Sequence, residues 1–199
     1  MASEQGIAMA ENTELKRRVG KAIADALPSY RVTWKKGLNG PNGLPYRYLL
    51  GRAFDPKRYE TDILVTKPFK RSGAVPERVP SGIPLVVVEV KGSSGSTNDS
   101  IDYADRATMH RHLYPWLRYG MVTMERKIGW RFLAHMRDYD FIVALGRERA
   151  EQDQRIREVA KAVRKESQTA LALLDLWEKE AEPGWFYQVP TILRGVKRR

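Results

Sequence analysis

The chain has 199 residues, a length that suits one domain with a buried core. Hydrophobic residues make up 42% and charged residues 30%, which excludes global disorder, and no apolar stretch is long enough to predict a membrane span. The absence of cysteine excludes disulfides, thiolate zinc sites and cysteine nucleophiles. Because residues 1–10 also lack a signal-peptide pattern, we expect a single cytoplasmic domain with no membrane partner.

The charge of the chain is strongly basic, with 35 Lys and Arg against 24 Asp and Glu and a net charge of +11. This balance favours an anionic partner such as nucleic acid, although a merely soluble basic protein can have it too. Residues 147–182 carry a net charge of −1 and residues 183–199 one of +4, which leaves +8 for residues 1–146. The positive field therefore belongs to the first part of the chain and to its tail.

The first predicted element is a helix over residues 11–27. Its apolar residues recur at helical spacing, and Pro28 ends it. Glu14 falls in the first turn, where the helix dipole favours a carboxylate. A structural carboxylate and a site residue are both open readings of Glu14.

Two short strands are predicted next, over residues 30–34 and 59–66, and each is followed by a basic loop rich in Gly and Pro. In the second strand, Asp62 and Glu60 lie on one face because side chains alternate along a strand. The loops bring basic side chains that either bind phosphates or form solvated turns. These candidates are Lys35 and Lys36 in the first loop, and Lys67, Lys70, Arg71 and Arg78 in the second.

The run from Ile83 to Gly92 predicts the central strand of the sheet. Residues 85–88 and Val90 are all apolar, which is typical of a strand buried on both faces. Glu89 and Lys91 interrupt this pattern at its carboxyl end, on one face. Ionised groups that are buried away from water need partners, such as a metal ion and a polar substrate.

The rest of the chain alternates between helices and strands. We expect a helix from about residue 99 to 116, strands at 119–124 and 139–145, and a long helix over 147–182, whereas 125–138 give no clear pattern. The long helix either packs on the sheet or contributes to a dimer interface. The order predicts an α/β (α+β) fold in which helices flank a mixed central sheet.

The string Glu-x-Lys occurs three times in the chain, beginning at Glu14, Glu89 and Glu125. Only the copy at Glu89 ends a buried strand that follows a strand carrying an acidic residue, Asp62. Carboxylates on adjacent strands can hold Mg²⁺, with the carbonyl of Val90 as a further ligand, and a lysine beside them can act on the attacking water. A purely structural ion pair is the alternative. His110 is expected to pack or to contact DNA.

These residues resemble the motif of the PD-(D/E)xK nuclease superfamily over roughly residues 11–146. The resemblance implies a restriction-endonuclease-like core in which Asp62 and Glu89 bind the metal and Lys91 activates water. Glu14 matches a helix carboxylate that some members add to the site. One departure is Thr61, which precedes Asp62 where the motif has proline.

The resemblance implies a Mg²⁺-dependent endonuclease that cuts double-stranded DNA, most like a standalone type II restriction endonuclease and hence a homodimer. It divides the chain into a nuclease core at 11–146, the long helix at 147–182 and a basic tail at 183–199. Loop arginines would read guanine edges and lysines would contact phosphates. A repair nuclease or junction resolvase of the same fold is one alternative, and a non-catalytic DNA-binding protein is another.

Overall fold

The computed structural model describes residues 4–34, 43–47, 57–68, 82–92, 97–125, 128–136 and 138–180. Within these ranges the helices are α1 (Glu4–Ala26), α2 (Thr97–Leu113), α3 (Trp130–His135) and α4 (Arg149–Glu180). The strands are β1 (Arg31–Trp34), β2 (Gly43–Arg47), β3 (Lys57–Glu60), β4 (Ile63–Pro68), β5 (Gly82–Lys91), β6 (Arg118–Thr123) and β7 (Phe141–Ala144). The basic tail over 183–199 lies outside the described residues.

One mixed sheet organises the fold, with the strand order β1-β4-β5-β6-β7. β4 is antiparallel to both of its neighbours, whereas β5, β6 and β7 run parallel to one another. β5, β6 and β7 therefore finish at the same end of the sheet, which is also the end where β4 begins. We call it the site end. β2 and β3 pair with each other in a separate antiparallel ribbon.

Helices cover both faces of this sheet, as predicted. Arg118 and Tyr119 are neighbours on β6, so their side chains point to opposite faces. Arg118 forms a salt bridge with Glu166 on α4, while Tyr119 contacts His110 on α2. α4 and α2 therefore lie on opposite faces of the sheet, and α1 packs along α4.

The core forms where β5 lies between its neighbouring strands and the helices. Residues 85–88 and Val90 are almost completely buried, which confirms the predicted central strand. Burying each of these aliphatic side chains contributes about 1.5–3 kcal/mol relative to leaving it exposed. α1 adds Leu15, Val19 and Ile23 to the same core, and α4 adds its predicted apolar face. The long helix therefore packs on the sheet.

Several element boundaries differ from the sequence prediction. The strand expected over residues 59–66 is two strands, because β3 pairs in the ribbon and β4 in the main sheet. Thr61 and Asp62 form the junction between them. Part of the first predicted loop is β2, and the stretch without a clear pattern contains α3. Of the helices in the described ranges, none combines the length and the apolar character needed to cross a membrane.

Candidate active site

Asp62 lies at the site end of the sheet, and the end of a strand ladder fixes its side chain. The antiparallel pairing of β4 with β5 stops at Ile63 and Val88, so β4 offers no carbonyl to the backbone beyond that point. The N–H of Val90 instead donates a hydrogen bond to Asp62 Oδ2 at 2.8 Å. The carboxylate of Asp62 is thereby anchored to the strand that carries Glu89 and Lys91.

Glu89 is the most deeply buried acidic residue of the site, with 3% of its surface exposed. Burial and the neighbouring charge of Asp62 raise the pKa of Glu89 from its usual 4.5 to about 8. The nearby charge of Arg106 and a hydrogen bond from the backbone of Asp62 lower this pKa but do not offset the rise. The hydrogen bonds are reciprocal. The backbone N–H of Val90, next to Glu89, donates to the Asp62 carboxylate, and the backbone of Asp62 donates to the Glu89 carboxylate. The two acidic groups are thus close together, and the pKa of Glu89 stays raised in spite of the positive charges near it.

Lys91 lies on the same face of β5 as Glu89, as the alternation predicted. Its ammonium is 5.3 Å from the centre of the Tyr103 ring on α2, and the guanidinium carbon of Arg106 is also 5.3 Å from that centre. A cation over an aromatic face is attracted by the electrons of the ring. α2 therefore orients the site lysine through Tyr103.

The first helix contributes a side chain that the sequence did not single out. Lys16 Nζ lies 2.6 Å from Asp62 Oδ1, and the two side chains are only 19% and 14% exposed. Asn12, one turn earlier on α1, lies against Gly92 just after β5. Residues four apart share a helix face, so Asn12 and Lys16 both lie on the face of α1 that is turned toward the site.

Glu14 lies elsewhere on α1. Both of its carboxylate oxygens accept hydrogen bonds from Arg17 at 2.8 Å, in a pair whose side chains are about half exposed. The hydrogen bonds from Arg17 hold the pKa of Glu14 below its usual value, and the charges of Arg18 and Arg149 add to this effect. The structure therefore places the Glu14 carboxylate in a surface ion pair and does not bring it to Asp62 and Glu89.

The two carboxylates fit a hard divalent cation. The described part of the chain contains no group of three or more His, Cys, Asp or Glu side chains that could hold a metal. Mg²⁺ needs fewer, because it usually binds one or two carboxylates and completes its shell with water and phosphate oxygens. Asp62, Glu89 and the backbone of Val90 are the groups that would hold it. The raised pKa of Glu89 reflects in part a repulsion that such a cation would relieve.

The predicted DNA-binding residues fall mainly outside the described residues, and this holds for Lys35, Lys36, Lys70, Arg71 and Arg78. Lys35 and Lys36 follow Trp34, which pairs with Ile63 at the site end of the sheet. Lys67 is exposed but pairs with Ile83 near the other end of β4. Lys67 lies five positions after Asp62, which corresponds to about 16 Å along the strand.

His110 is part of the interior and not of a DNA-binding surface. It is completely buried, and its Nδ1 makes a short hydrogen bond with the hydroxyl of Tyr119. Burial and the charge of Glu89 raise the pKa of Tyr119 well above its usual value. Tyr119 and Glu89 therefore share one buried region under α2, which confirms the packing role of His110.

Comparison of the chain with protein-family models, with curated proteins and with solved structures finds no match in any of the three. The site must therefore be interpreted from its own geometry.

Proposed function

We propose that this chain is a Mg²⁺-dependent endodeoxyribonuclease with a restriction-endonuclease-like core, a member of the PD-(D/E)xK nuclease superfamily. One observation carries the proposal. Asp62 and Glu89 are held side by side by reciprocal backbone contacts at the end of a buried strand, and nearby positive charge does not offset the rise in the pKa of Glu89 that burial and Asp62 cause. Paired carboxylates in this state are suited to hold a hard cation.

The residues of the chain divide the chemistry between them. Asp62 and Glu89 would hold the cation, with the carbonyl of Val90 as a further ligand. A bound Mg²⁺ would neutralise charge on the phosphate and lower the pKa of a water molecule. Lys91, oriented over Tyr103, acts as a fixed positive charge that orients the attacking water and stabilises the phosphorus-centred transition state. No covalent enzyme intermediate is required.

The substrate and assembly follow from the charge of the chain and from the motif. The net charge of +8 over residues 1–146 favours a polyanion, and we propose double-stranded DNA cut at a specific sequence by a homodimer. Lys35 and Lys36 are candidates for phosphate contacts. They directly follow β1, whose last residue, Trp34, pairs with Ile63 at the site end of the sheet. A repair nuclease or a junction resolvase would use the same groups on a different DNA structure.

A non-catalytic DNA-binding protein is the second candidate, and one observation favours it. Asp62 already has a cationic partner, since Lys16 is 2.6 Å away. In a purely structural cluster this ion pair would be permanent, and Lys91 would serve only to contact DNA.

A plasmid cleavage assay tests the proposal. Supercoiled DNA is incubated with Mg²⁺ and with wild-type protein, Asp62→Ala or Lys91→Ala. We expect discrete fragments with wild type and a loss of roughly 10²–10³-fold or more in either variant, while circular dichroism shows both folded. Asp25→Ala and Lys21→Ala are matched controls, because these two residues form an exposed ion pair on α1. Both control variants should cleave the plasmid at the rate of the wild-type protein.

The products separate the alternatives. Discrete fragments support a restriction enzyme, whereas nicking or cutting only at branched DNA supports a repair role. DNA binding without cutting under any divalent metal would establish the non-catalytic alternative, and full activity in Asp62→Ala or Lys91→Ala would overturn the site.

A further inference from the structure

The ion pair between Lys16 and Asp62 differs from the other lysine pair of α1. Lys21 and Asp25 are 2.8 Å apart with side chains about two thirds exposed, so water screens them well. Lys16 and Asp62 are 2.6 Å apart and less than one fifth exposed. The Lys16 ammonium has therefore lost much of its hydration and depends on Asp62 for compensation.

The same ion pair lies on the carboxylate that a divalent cation would use. Asp62 Oδ2 accepts the N–H of Val90, which leaves Oδ1 as the oxygen not committed to the strand, and Lys16 contacts that oxygen. Glu89, the other candidate ligand, is buried beside Asp62. Lys16 is thus a positive charge that lies directly on the carboxylate oxygen where a metal ion would bind.

We propose that Lys16 is a resident counter-ion of Asp62 that competes with the divalent cation, so that this lysine sets the metal affinity of the site. The inference rests on the proposed function, because it takes Asp62 as a metal ligand. It assigns a role to a residue that the nuclease motif does not include.

Electrostatics require the competition. An ammonium within hydrogen-bonding distance of Asp62 and a divalent cation on the same carboxylate repel each other strongly, because the two side chains are largely buried and solvent screens them weakly. A lysine can withdraw because its charge is carried on a flexible four-carbon stem. Lys16 and the metal ion therefore compete for Asp62, and the site binds the metal more weakly than it would if Lys16 were absent.

The helix offers Lys16 another acceptor when it leaves Asp62. Asn12 Oδ1 is buried, and among the described residues no donor reaches it. Asn12 lies one turn before Lys16 on the same face of α1, a spacing at which side chains can meet. A buried amide oxygen without a donor is costly, so the displaced ammonium would be stabilised there.

Metal titration of the purified full-length protein tests this inference without DNA. Mn²⁺ binding is measured by isothermal titration calorimetry for wild type, Lys16→Met, Lys16→Arg and Lys21→Met. We expect Lys16→Met to bind about tenfold more tightly, which corresponds to roughly 1.4 kcal/mol. Lys16→Arg keeps the charge and should bind no more tightly than wild type. Lys21→Met removes a lysine from an exposed pair on the same helix and should not change the affinity.

A second variant and a second measurement keep the test decisive if Lys16→Met fails to fold. Lys16→Gln removes the charge but keeps a donor for Asp62, so it should also bind Mn²⁺ more tightly than wild type. The melting temperature should rise on addition of Mn²⁺ by more in Lys16→Gln than in wild type, because tighter binding to the folded state stabilises it further.

The outcomes distinguish this inference from the proposed function. Equal or weaker Mn²⁺ binding in Lys16→Met and Lys16→Gln, with binding lost in Asp62→Asn, would overturn the competition and leave the metal site intact. Absence of Mn²⁺ binding in wild type and in both Lys16 variants would overturn the competition together with the proposed metal site.

Discussion

Two carboxylate clusters lie at opposite ends of the same sheet, and they differ in the balance of their charges. The Asp140 cluster consists of Asp140, Glu166, Arg111 and Arg118. Asp140 accepts Arg111 and Arg118 at 2.6 and 2.7 Å and the N–H of Tyr119 at 2.6 Å, while Arg118 also reaches Glu166 at 2.8 Å. Two carboxylates face two guanidinium groups, so the cluster is neutral and its hydrogen bonds are made.

The Asp62 cluster consists of Asp62, Glu89 and Lys16, and its ion pair between Lys16 and Asp62 leaves Glu89 buried beside a second acidic side chain. The pKa of Glu89 is raised to about 8 as a result of its burial and of the charge on Asp62, despite the opposing influence of Arg106. The comparison shows what a structural ion network in this fold is like when it is complete. The Asp62 cluster differs, because nearby positive charge does not keep the pKa of Glu89 in its usual range, and we propose that a metal ion would relieve this imbalance.

The largest expected difference between the clusters is in activity. Asp62→Asn should reduce the rate of plasmid cleavage by roughly 10³-fold or more, because it removes a metal ligand. Asp140→Asn should leave cleavage per folded molecule within about twofold, since Asp140 lies at the far end of the sheet. Rates are measured with Mg²⁺ on a single plasmid substrate. A comparable loss in both variants would remove the functional distinction between the clusters.

Stability should respond in the opposite order. Asp140→Asn leaves Arg111 and Arg118 without their shared carboxylate, and we expect the free energy of unfolding to fall by about 3 kcal/mol. Asp62→Asn should cost less, because asparagine keeps an oxygen that can accept the N–H of Val90, and the change breaks the ion pair with Lys16 where Asp140→Asn breaks the pairs with two arginines. Urea denaturation at neutral pH compares the two. A larger loss in Asp62→Asn would mean that the Asp62 cluster is the structural one.

Glu89 should dominate the contribution of the site to the pH dependence of stability. Between pH 4.5 and about 8 the folded protein keeps the Glu89 proton that the unfolded chain has released. The folded state therefore binds more protons, and stability contributed by Glu89 is present below pH 4.5 and lost as pH rises through about 8.

Glu89→Gln isolates this contribution, because glutamine resembles the protonated acid and does not titrate. Unfolding is measured in urea at several pH values without divalent metal. The stability of Glu89→Gln relative to wild type should increase by roughly 1.4 kcal/mol per pH unit between about pH 5.5 and 7.5. Parallel curves for the two proteins would show that Glu89 is ionised in the folded state.

The smallest effect is expected at Glu14. Its carboxylate is paired with Arg17 on the surface of α1, so Glu14→Gln should change the cleavage rate by less than about twofold. The matched comparison is Lys16→Gln, two residues away on a different face of the helix. A loss of cleavage in Glu14→Gln similar to that in Asp62→Asn would show that Glu14 joins the site on DNA binding.

The sequence predicts the centre of the site well because the signal there is local. The apolar residues 85–88 and Val90 are typical of a buried strand, and alternation puts Glu89 and Lys91 on one face. The sequence also places Asp62 on the strand that precedes β5 in the chain. β4, which begins directly after Asp62, does lie next to β5 in the sheet. The prediction missed the junction at Thr61 and Asp62, because two strands of different sheets follow each other without Gly or Pro between them.

Lys16 shows why the rest could not be predicted. A lysine within an amphipathic helix has the pattern of a solvated residue, and its contact with Asp62 joins positions 46 residues apart. Glu14 had the stronger signal, as a carboxylate in the first turn of the predicted helix, yet in α1 its side chain pairs with Arg17. The Asp140 cluster joins α2, β6 and α4 and likewise has no local signature. Only tertiary packing decides which charges meet.

The central claim is that the Asp62 cluster, and not the Asp140 cluster, holds a divalent cation. The most direct test is Mn²⁺ binding followed by electron paramagnetic resonance. Wild type and Asp140→Asn should each bind one Mn²⁺ ion per chain, and the double variant Asp62→Asn/Glu89→Gln should bind none. Absence of binding in wild type, or equal binding in the double variant, would contradict the account.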